Sequence, residues 1–89
     1  ADSAKMANSV VIPPCFIAED VIIENSVVGP HVSLGKGTRI EGSIISNSNI
    51  QAHSTIENAV IANSMIGSHA SFSGTIVDIS LGDYSTIKQ

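Results

Sequence analysis

The feature that most limits the possible folds is a short repeat of aliphatic residues that runs through nearly the whole chain. It is clearest between Ile50 and Phe72, where IQAHSTI returns as IGSHASF sixteen residues later. One aliphatic residue opens each repeat unit, and the next follows after five or six positions, with a single step of four from Val77 to Leu81. This spacing fits neither the ~3.6-residue period of a helix nor the alternation of a long strand. Repetition of this kind indicates a solenoid of stacked coils.

Every third aliphatic residue falls into the same column, so three columns contain the series. The columns are Ile17, Leu34, Ile50, Ile66 and Leu81 (first); Ile23, Ile40, Ile56, Phe72 and Ile87 (second); and Val11, Val28, Ile45, Ile61 and Val77 (third). Within a column the separations are fifteen to seventeen residues. We therefore predict a three-sided coil whose short parallel strands stack at roughly 4.8 Å per rung. Its sides are called the first, second and third face, after their columns.

Residues that tolerate a left-handed backbone recur where such a coil must turn. Two positions after members of the second column come Asn25, Gly42, Asn58 and Gly74, and directly after members of the first column come Gly35, Gly67 and Gly82. Glycine and asparagine adopt positive φ angles at less cost than other residues. These positions are the predicted corners.

Composition excludes several classes of function. A chain of 89 residues makes one domain, and its net charge is -4. The basic residues Lys5, Lys36, Arg39 and Lys88 form no cluster, which argues against binding to nucleic acid or an anionic membrane. No apolar run approaches the length of a membrane span. Because Cys15 is the single cysteine, no disulfide can form within the chain, and a reducing, cytoplasmic location is predicted.

The segments VGPHVS, LGKGTR, IGSHAS and LGDYST match a known repeat: an aliphatic residue, often glycine next, then two variable residues and a small one. Over residues 9–87 the chain resembles the hexapeptide-repeat family. The resemblance implies an all-β fold, a single-stranded left-handed parallel β-helix of about four to five triangular coils. Residues 1–8 are then a lead-in or linker, and residues 9–89 are the β-helix domain.

The opening segment NSVVIPPCFIAEDVIIENSVVGPHVSLGKGTRIEGSII is similar to the C-terminal domain of sugar-1-phosphate nucleotidyltransferases, in particular glucose-1-phosphate thymidylyltransferases. This resemblance implies a structural and oligomerisation domain without catalytic, cofactor-binding or metal residues of its own. The parent enzyme would convert a nucleoside triphosphate and a sugar 1-phosphate to a nucleotide sugar and pyrophosphate. Its Mg²⁺ would belong to an N-terminal catalytic domain. Because the chain starts ADSAKMANS, without an initiator Met, we expect it to be a piece of a longer protein.

One set of residues predicts a partner. The residues just before the third column should face outward, and all are large aliphatics: Val10, Val27, Ile44, Val60 and Ile76. We call them the apolar strip. The equivalent positions on the second face are mostly polar, so the preference of β-branched residues for strands does not explain the strip. We predict an interface there, in a homo-oligomer, with a trimer suggested by family analogy.

The three histidines offer an alternative function. His53 and His69 occupy the same position in successive coils, so their side chains should stack roughly 5 Å apart, whereas His31 belongs to a different corner. The simplest interpretation is that they are solvated corner residues. Many hexapeptide acyltransferases use a histidine as general base, and related enzymes bind zinc through three histidines. A compact acyltransferase that uses His53 or His69 is therefore the second hypothesis.

Overall fold

The repeat folds into very short parallel strands joined by corners. The computed structural model describes residues 4–77, 80–82, 84 and 86–88, and only the backbone of residues 75–77, 80, 81, 87 and 88. The strands are β1 (Lys5–Ala7), β2 (Val10–Val11), β3 (Cys15–Ile17), β4 (Ile22–Glu24), β5 (Val27–Val28), β6 (Val32–Leu34), β7 (Arg39–Glu41), β8 (Ile44–Ser46), β9 (Asn49–Ile50), β10 (Thr55–Ala62), β11 (Met65–Ile66), β12 (Ser71–Val77), β13 (Ser80–Leu81) and β14 (Thr86–Lys88). No helix capable of crossing a lipid bilayer occurs in the part of the chain that is described.

Strand pairing divides the solenoid into three faces. The first face is a separate sheet of five strands in the order β13-β11-β9-β6-β3. The second face contains β1, β4, β7 and β14, and the third contains β2, β5 and β8. β10 and β12 belong to both faces, because each crosses the corner between them without a break in strand conformation. All pairings are parallel, and the resulting β-solenoid of about four turns confirms the predicted fold class, consistent with a left-handed β-helix.

The register follows the predicted columns with one exception. Ile17, Leu34, Ile50, Ile66 and Leu81 are consecutive Cα partners on the first face, and Ile23, Ile40, Ile56, Phe72 and Ile87 are so on the second. On the third face, Ile61 pairs with Ile76 instead of Val77. The register shifts between Ile56 and Ala59, because β12 turns this corner with one residue fewer than β10 does. Gly74 allows this shorter turn because it adopts a φ of 116°, a backbone conformation that residues with a side chain rarely adopt.

The core consists mainly of the three columns, with Val21 and Val32 added, whereas Val11 and Ile17 are only partly buried. Leu34, Ile40, Ile45, Ile50 and Ile56 are completely buried. Small residues two positions before the column members also point inward, and the buried ones are Ser26, Thr38, Ser43, Ser48, Ser54, Ala59, Ser64 and Ala70. One large and one small residue per side fill a triangular section to the packing density of protein interiors. The side chains of Val77, Leu81 and Ile87 lie outside the described residues.

The corners are formed by the predicted residues and by additional ones. Asn25, Gly42, Asn58 and Gly74 all have positive φ. The corner before the second face adds residues of other types at φ between 56° and 61°, namely Asp20, His53, His69 and Tyr84. The corner before the first face contains His31, Asn47 and Asn63 with φ of 46–59°. Side chains at such corners point outward, so His53 and His69 at one corner and His31 at the other lie at the surface.

The strand ladder starts earlier than the sequence suggested. β1 (Lys5–Ala7) pairs with β4 in the register Lys5↔Ile22, so the ladder extends into residues 1–8, the segment predicted as lead-in. Asn8 forms the corresponding corner, and its side-chain amide donates to Asn25 Oδ1 at 2.9 Å. The signal in the sequence is the five-residue step from Met6 to Val11, and it is weak because methionine is not one of the Val, Ile and Leu residues that mark the repeat.

Candidate functional site

The apolar strip lies on the outer side of the third face. Val10, Ile44 and Val60 are 55%, 53% and 44% exposed, and Val27 between them is partly buried. Their Cα atoms are consecutive partners in the parallel ladder, Val10↔Val27↔Ile44↔Val60, so the side chains follow one another along the solenoid axis. The strip thus presents branched apolar side chains to solvent on consecutive rungs.

The last predicted member of the strip is placed differently in the ladder. The Cα partner of Val60 is Thr75, and Ile76 pairs with Ile61 of the core column. The side chains of Thr75 and Ile76 lie outside the described residues, so membership of Ile76 in the strip stays a prediction. For the described part, the strip consists of Val10, Val27, Ile44 and Val60.

Strand alternation explains why the strip is exposed. Val28, Ile45 and Ile61, each one position further along the chain, are buried in the third column. The other faces show no comparable row: the second carries Ile22, Arg39, Thr55, Ser71 and Thr86 outward, and the first carries Phe16, Ser33, Asn49 and Met65. Only the third face combines strand structure with an apolar row on consecutive rungs among the described residues.

The ring-bearing residues of one corner form a stacked column. The ring centroids of His53 and His69 are 5.3 Å apart with their planes tilted by 31°, and those of His69 and Tyr84 are 4.8 Å apart and nearly parallel. The His53 ring also lies over Gly37 of the preceding coil, where an added Cβ would be 2.5 Å from His53 Nδ1. His53, His69 and Tyr84 are exposed, and they form the ring column.

His31 lies outside the ring column, in agreement with the prediction that it belongs to a different corner. It lies at the corner between the third and first faces, where its amide donates to Pro14 O at 2.7 Å. Among the described residues, no three His, Cys, Asp or Glu side chains converge in a way that could hold a metal ion. His31, His53 and His69 are all exposed, so each imidazole is accessible to a molecule in solution.

Sequence reasoning missed a shallow groove on the first face. Phe16 and Met65 form its two ends, Ser33 and Asn49 lie between them, and His31 and Asn47 border it at the corner. Phe16 is 66% exposed and Met65 is 52% exposed. The available signal was the outward series Phe16, Ser33, Asn49, Met65, in which two large apolar residues flank two small polar ones.

Comparison with solved structures finds the same fold. The chain is similar to perosamine N-acetyltransferase from Caulobacter crescentus, solved as a mutant with CoA and GDP-perosamine, with a TM-score of 0.81 and 15% identity. The match covers 89% of this chain and 41% of that protein, so this chain spans about two fifths of its length. The N-terminal domain of CcmM in complex with CcmN is 17% identical, with a TM-score of 0.39, over 92% of this chain and 86% of that one.

These similarities establish the fold and not the activity, because identity is low. The likeness to perosamine N-acetyltransferase agrees with the parallel β-solenoid that the sequence predicts. No protein-family profile matches the chain, and no curated protein matches it either. Perosamine N-acetyltransferase is not a nucleotidyltransferase, so the narrower resemblance inferred from the sequence stays a prediction.

Proposed function

We propose that the chain is a structural β-helix module that joins copies of itself through the apolar strip and performs no chemistry of its own. The observation that carries the proposal is the row formed by Val10, Ile44 and Val60, each about half exposed on a flat face. Burial of apolar surface contributes roughly 25 cal/mol per Å², so an exposed row of this kind favours association.

A second copy of the same chain is the partner that fits best. The third-face segments VV in β2, VV in β5, IIS in β8 and residues 59–62 of β10 contain no charged residue, so little charge is desolvated on contact. Side chains that repeat at the rung spacing can interdigitate with an identical row on another copy, as in symmetric interfaces. A trimer would be the arrangement suggested by the family.

The parent of such a module is proposed to be a sugar-1-phosphate nucleotidyltransferase, on the basis of the opening segment around Ile12. An N-terminal catalytic domain would then bind Mg²⁺, the nucleoside triphosphate and the sugar 1-phosphate, in the cytoplasm. Among the described residues, no group of three His, Cys, Asp or Glu side chains is placed to hold a metal ion. The module would hold such catalytic domains together.

Ile44→Asp tests the interface. The side chain is 53% exposed, so the fold should tolerate the carboxylate, whereas a buried interface would not. We expect light scattering coupled to size exclusion to show an oligomer for the native chain and a monomer for Ile44→Asp, with unchanged circular dichroism. Asn49→Asp, an exposed site on the first face, is the control and should remain oligomeric. A native chain that is monomeric at all concentrations would overturn the proposal.

A compact acyltransferase is the second candidate, and the comparison with solved structures supports it better than it supports the nucleotidyltransferase parent. The supporting observation is the likeness to an acetyltransferase over 89% of this chain. In this case His53 or His69 would act as general base for an acceptor hydroxyl or amine. Thiol release from acetyl-CoA with amino sugars, abolished in His53→Ala or His69→Ala and retained in His31→Ala, would support it. No thiol release with the oligomer intact would exclude it.

A further inference from the structure

The groove on the first face has an uncharged lining. Its volume is about 580 Å³, within the range of roughly 300–1,000 Å³ that is typical of small-molecule sites. Of the eleven described residues that line it, none is Asp, Glu, Lys or Arg. Phosphorylated ligands such as nucleotides are commonly held by Lys or Arg side chains or by helix N-termini, and the described lining contains none of these, with His31 at its border as the one basic side chain. A neutral ligand therefore fits this described lining better than a strongly charged one.

Two side-chain amides of the groove are available to bind a ligand. Asn47 and Asn49 are exposed, and within the described structure their side-chain amides make no hydrogen bond to protein. Each amide offers two donors and one acceptor oxygen, and the Ser33 hydroxyl adds a donor and an acceptor. They lie on neighbouring rungs, because Ser33 and Asn49 are Cα partners. A ligand with several hydroxyl groups matches this alternation of donors and acceptors.

Phe16 supplies the apolar part of the site. Its ring is 66% exposed beside Ser33, its Cα partner in the ladder. The face of an aromatic ring carries negative charge density, so it attracts the weakly positive C–H groups on one side of a pyranose. A flat apolar platform beside free amides and a hydroxyl is the combination that binds a ring with one C–H face and hydroxyls at its rim.

We propose that the groove binds a neutral saccharide, whose ring stacks on Phe16 and whose hydroxyls form hydrogen bonds with Ser33, Asn47 and Asn49. This site is independent of the self-association proposed above, because the apolar strip lies on the third face. It is also separate from the ring column, which occupies the corner between the first and second faces.

Heteronuclear NMR of the full isotope-labelled chain tests the site, with glucose and its disaccharide maltose as probes. We expect both sugars to shift the amide resonances of Phe16, Ser33 and Asn49 in a saturable way, while resonances of the apolar strip stay unchanged. Phe16→Ala should weaken the affinity roughly tenfold, since the aromatic platform is lost. Tyr84→Ala, which removes an aromatic side chain that is 73% exposed at another corner, should leave the affinity unchanged.

Three outcomes would overturn the proposal. The first is no saturable shift with either sugar. The second is a shift of the groove resonances by glucose 1-phosphate or ATP in the absence of any shift by neutral sugars, which would show a charged ligand. The third is a change of the same resonances with protein concentration alone, which would show that a second copy covers the groove. Only the third would also bear on the proposed function, since it would move the interface from the third face to the first.

Discussion

At the scale of single residues, buried serines connect one coil to the next. Ser43 Oγ donates to Glu41 O at 2.8 Å and accepts from Ala59 N at 3.1 Å, in the following coil. Its own amide donates to Ser26 Oγ at 3.0 Å in the preceding coil. The hydroxyl therefore satisfies a buried backbone amide that would otherwise have no partner, which explains a polar residue inside an aliphatic core.

Ser43→Ala should destabilise the fold although it removes a single atom. The Ala59 amide and one acceptor position of the Glu41 carbonyl would lose their partner in a site that is 1% exposed. Leaving a buried backbone group unsatisfied costs about 1–3 kcal/mol. Urea unfolding of the two proteins measures the difference. Ser71→Ala, at an exposed position, serves as the control, and equal midpoints for Ser43→Ala and the native chain would contradict the role assigned to the hydroxyl.

Substitution by alanine should change the stability of the fold at one of two equivalent corner glycines and not at the other. A Cβ at Gly35 would lie 2.5 Å from Ala52 N and 2.8 Å from Gln51 C, both backbone atoms of the next coil, whereas a Cβ at Gly82 would meet nothing within 4 Å. We expect Gly35→Ala to cost about 1–3 kcal/mol or more, because backbone must move to accept it. Gly82→Ala should be close to neutral. Thermal unfolding measures the difference, since each kcal/mol of lost stability should lower the midpoint by ~4–8 °C in a domain of this size. Similar midpoints for the two variants would show that the coils can separate locally to accept the added Cβ.

At the scale of the strands, the sequence predicts what the period determines and misses what depends on single residues. The inward columns and the corners at Asn25 and Asn58 follow from spacing, because an in-register parallel stack repeats the same environment in each coil. The shift that pairs Ile61 with Ile76 depends on how Gly74 turns one corner, which spacing does not show. Likewise the sequence did not predict β1, because the residue that continues the second column there is Met6 and not Val, Ile or Leu.

The candidate sites likewise include features that the repeat predicts and features that only the folded structure shows. The apolar strip follows from strand alternation, so its described members could be identified from the sequence. The contact between His53 and His69 was predicted from their shared position, and the addition of Tyr84 to the stack required the structure. The groove was missed because Phe16 and Met65 lie three rungs apart, and only the folded ladder shows that the residues between them are small enough to leave a depression.

Position in the stack should determine how strongly a strand is protected from hydrogen exchange. Ile56 in β10 has Cα partners on both sides, Ile40 and Phe72, whereas Met6 in β1 has Ile23 on one side alone among the described residues. Amide exchange followed by NMR should be faster for Met6 than for Ile56, on the order of a hundredfold or more. The two residues share a column, so each is the other's control. Equal protection would mean that another chain covers the first coil.

At the scale of the whole molecule, the direction of the strip determines the form of the assembly. The solenoid measures 29 × 19 × 19 Å, and the strip is parallel to its stacking direction. Copies joined through the strip therefore lie side by side, with their long axes aligned. Association through the ends of the solenoid would instead extend the ladder into a longer rod, which is the hazard that solenoids and open sheet edges present.

Small-angle X-ray scattering separates these two arrangements. For side-by-side packing we expect the cross-sectional radius of gyration to exceed that of the monomer while the length stays near 29 Å. Ile44→Asp should return the profile to that of the single chain, and Asn49→Asp should preserve the native profile. End-to-end packing would give a rod of about twice the length with the cross-section of one chain, as expected when exposed strand edges pair. A rod that survives Ile44→Asp would assign the association to the first coil and leave the strip without a structural role.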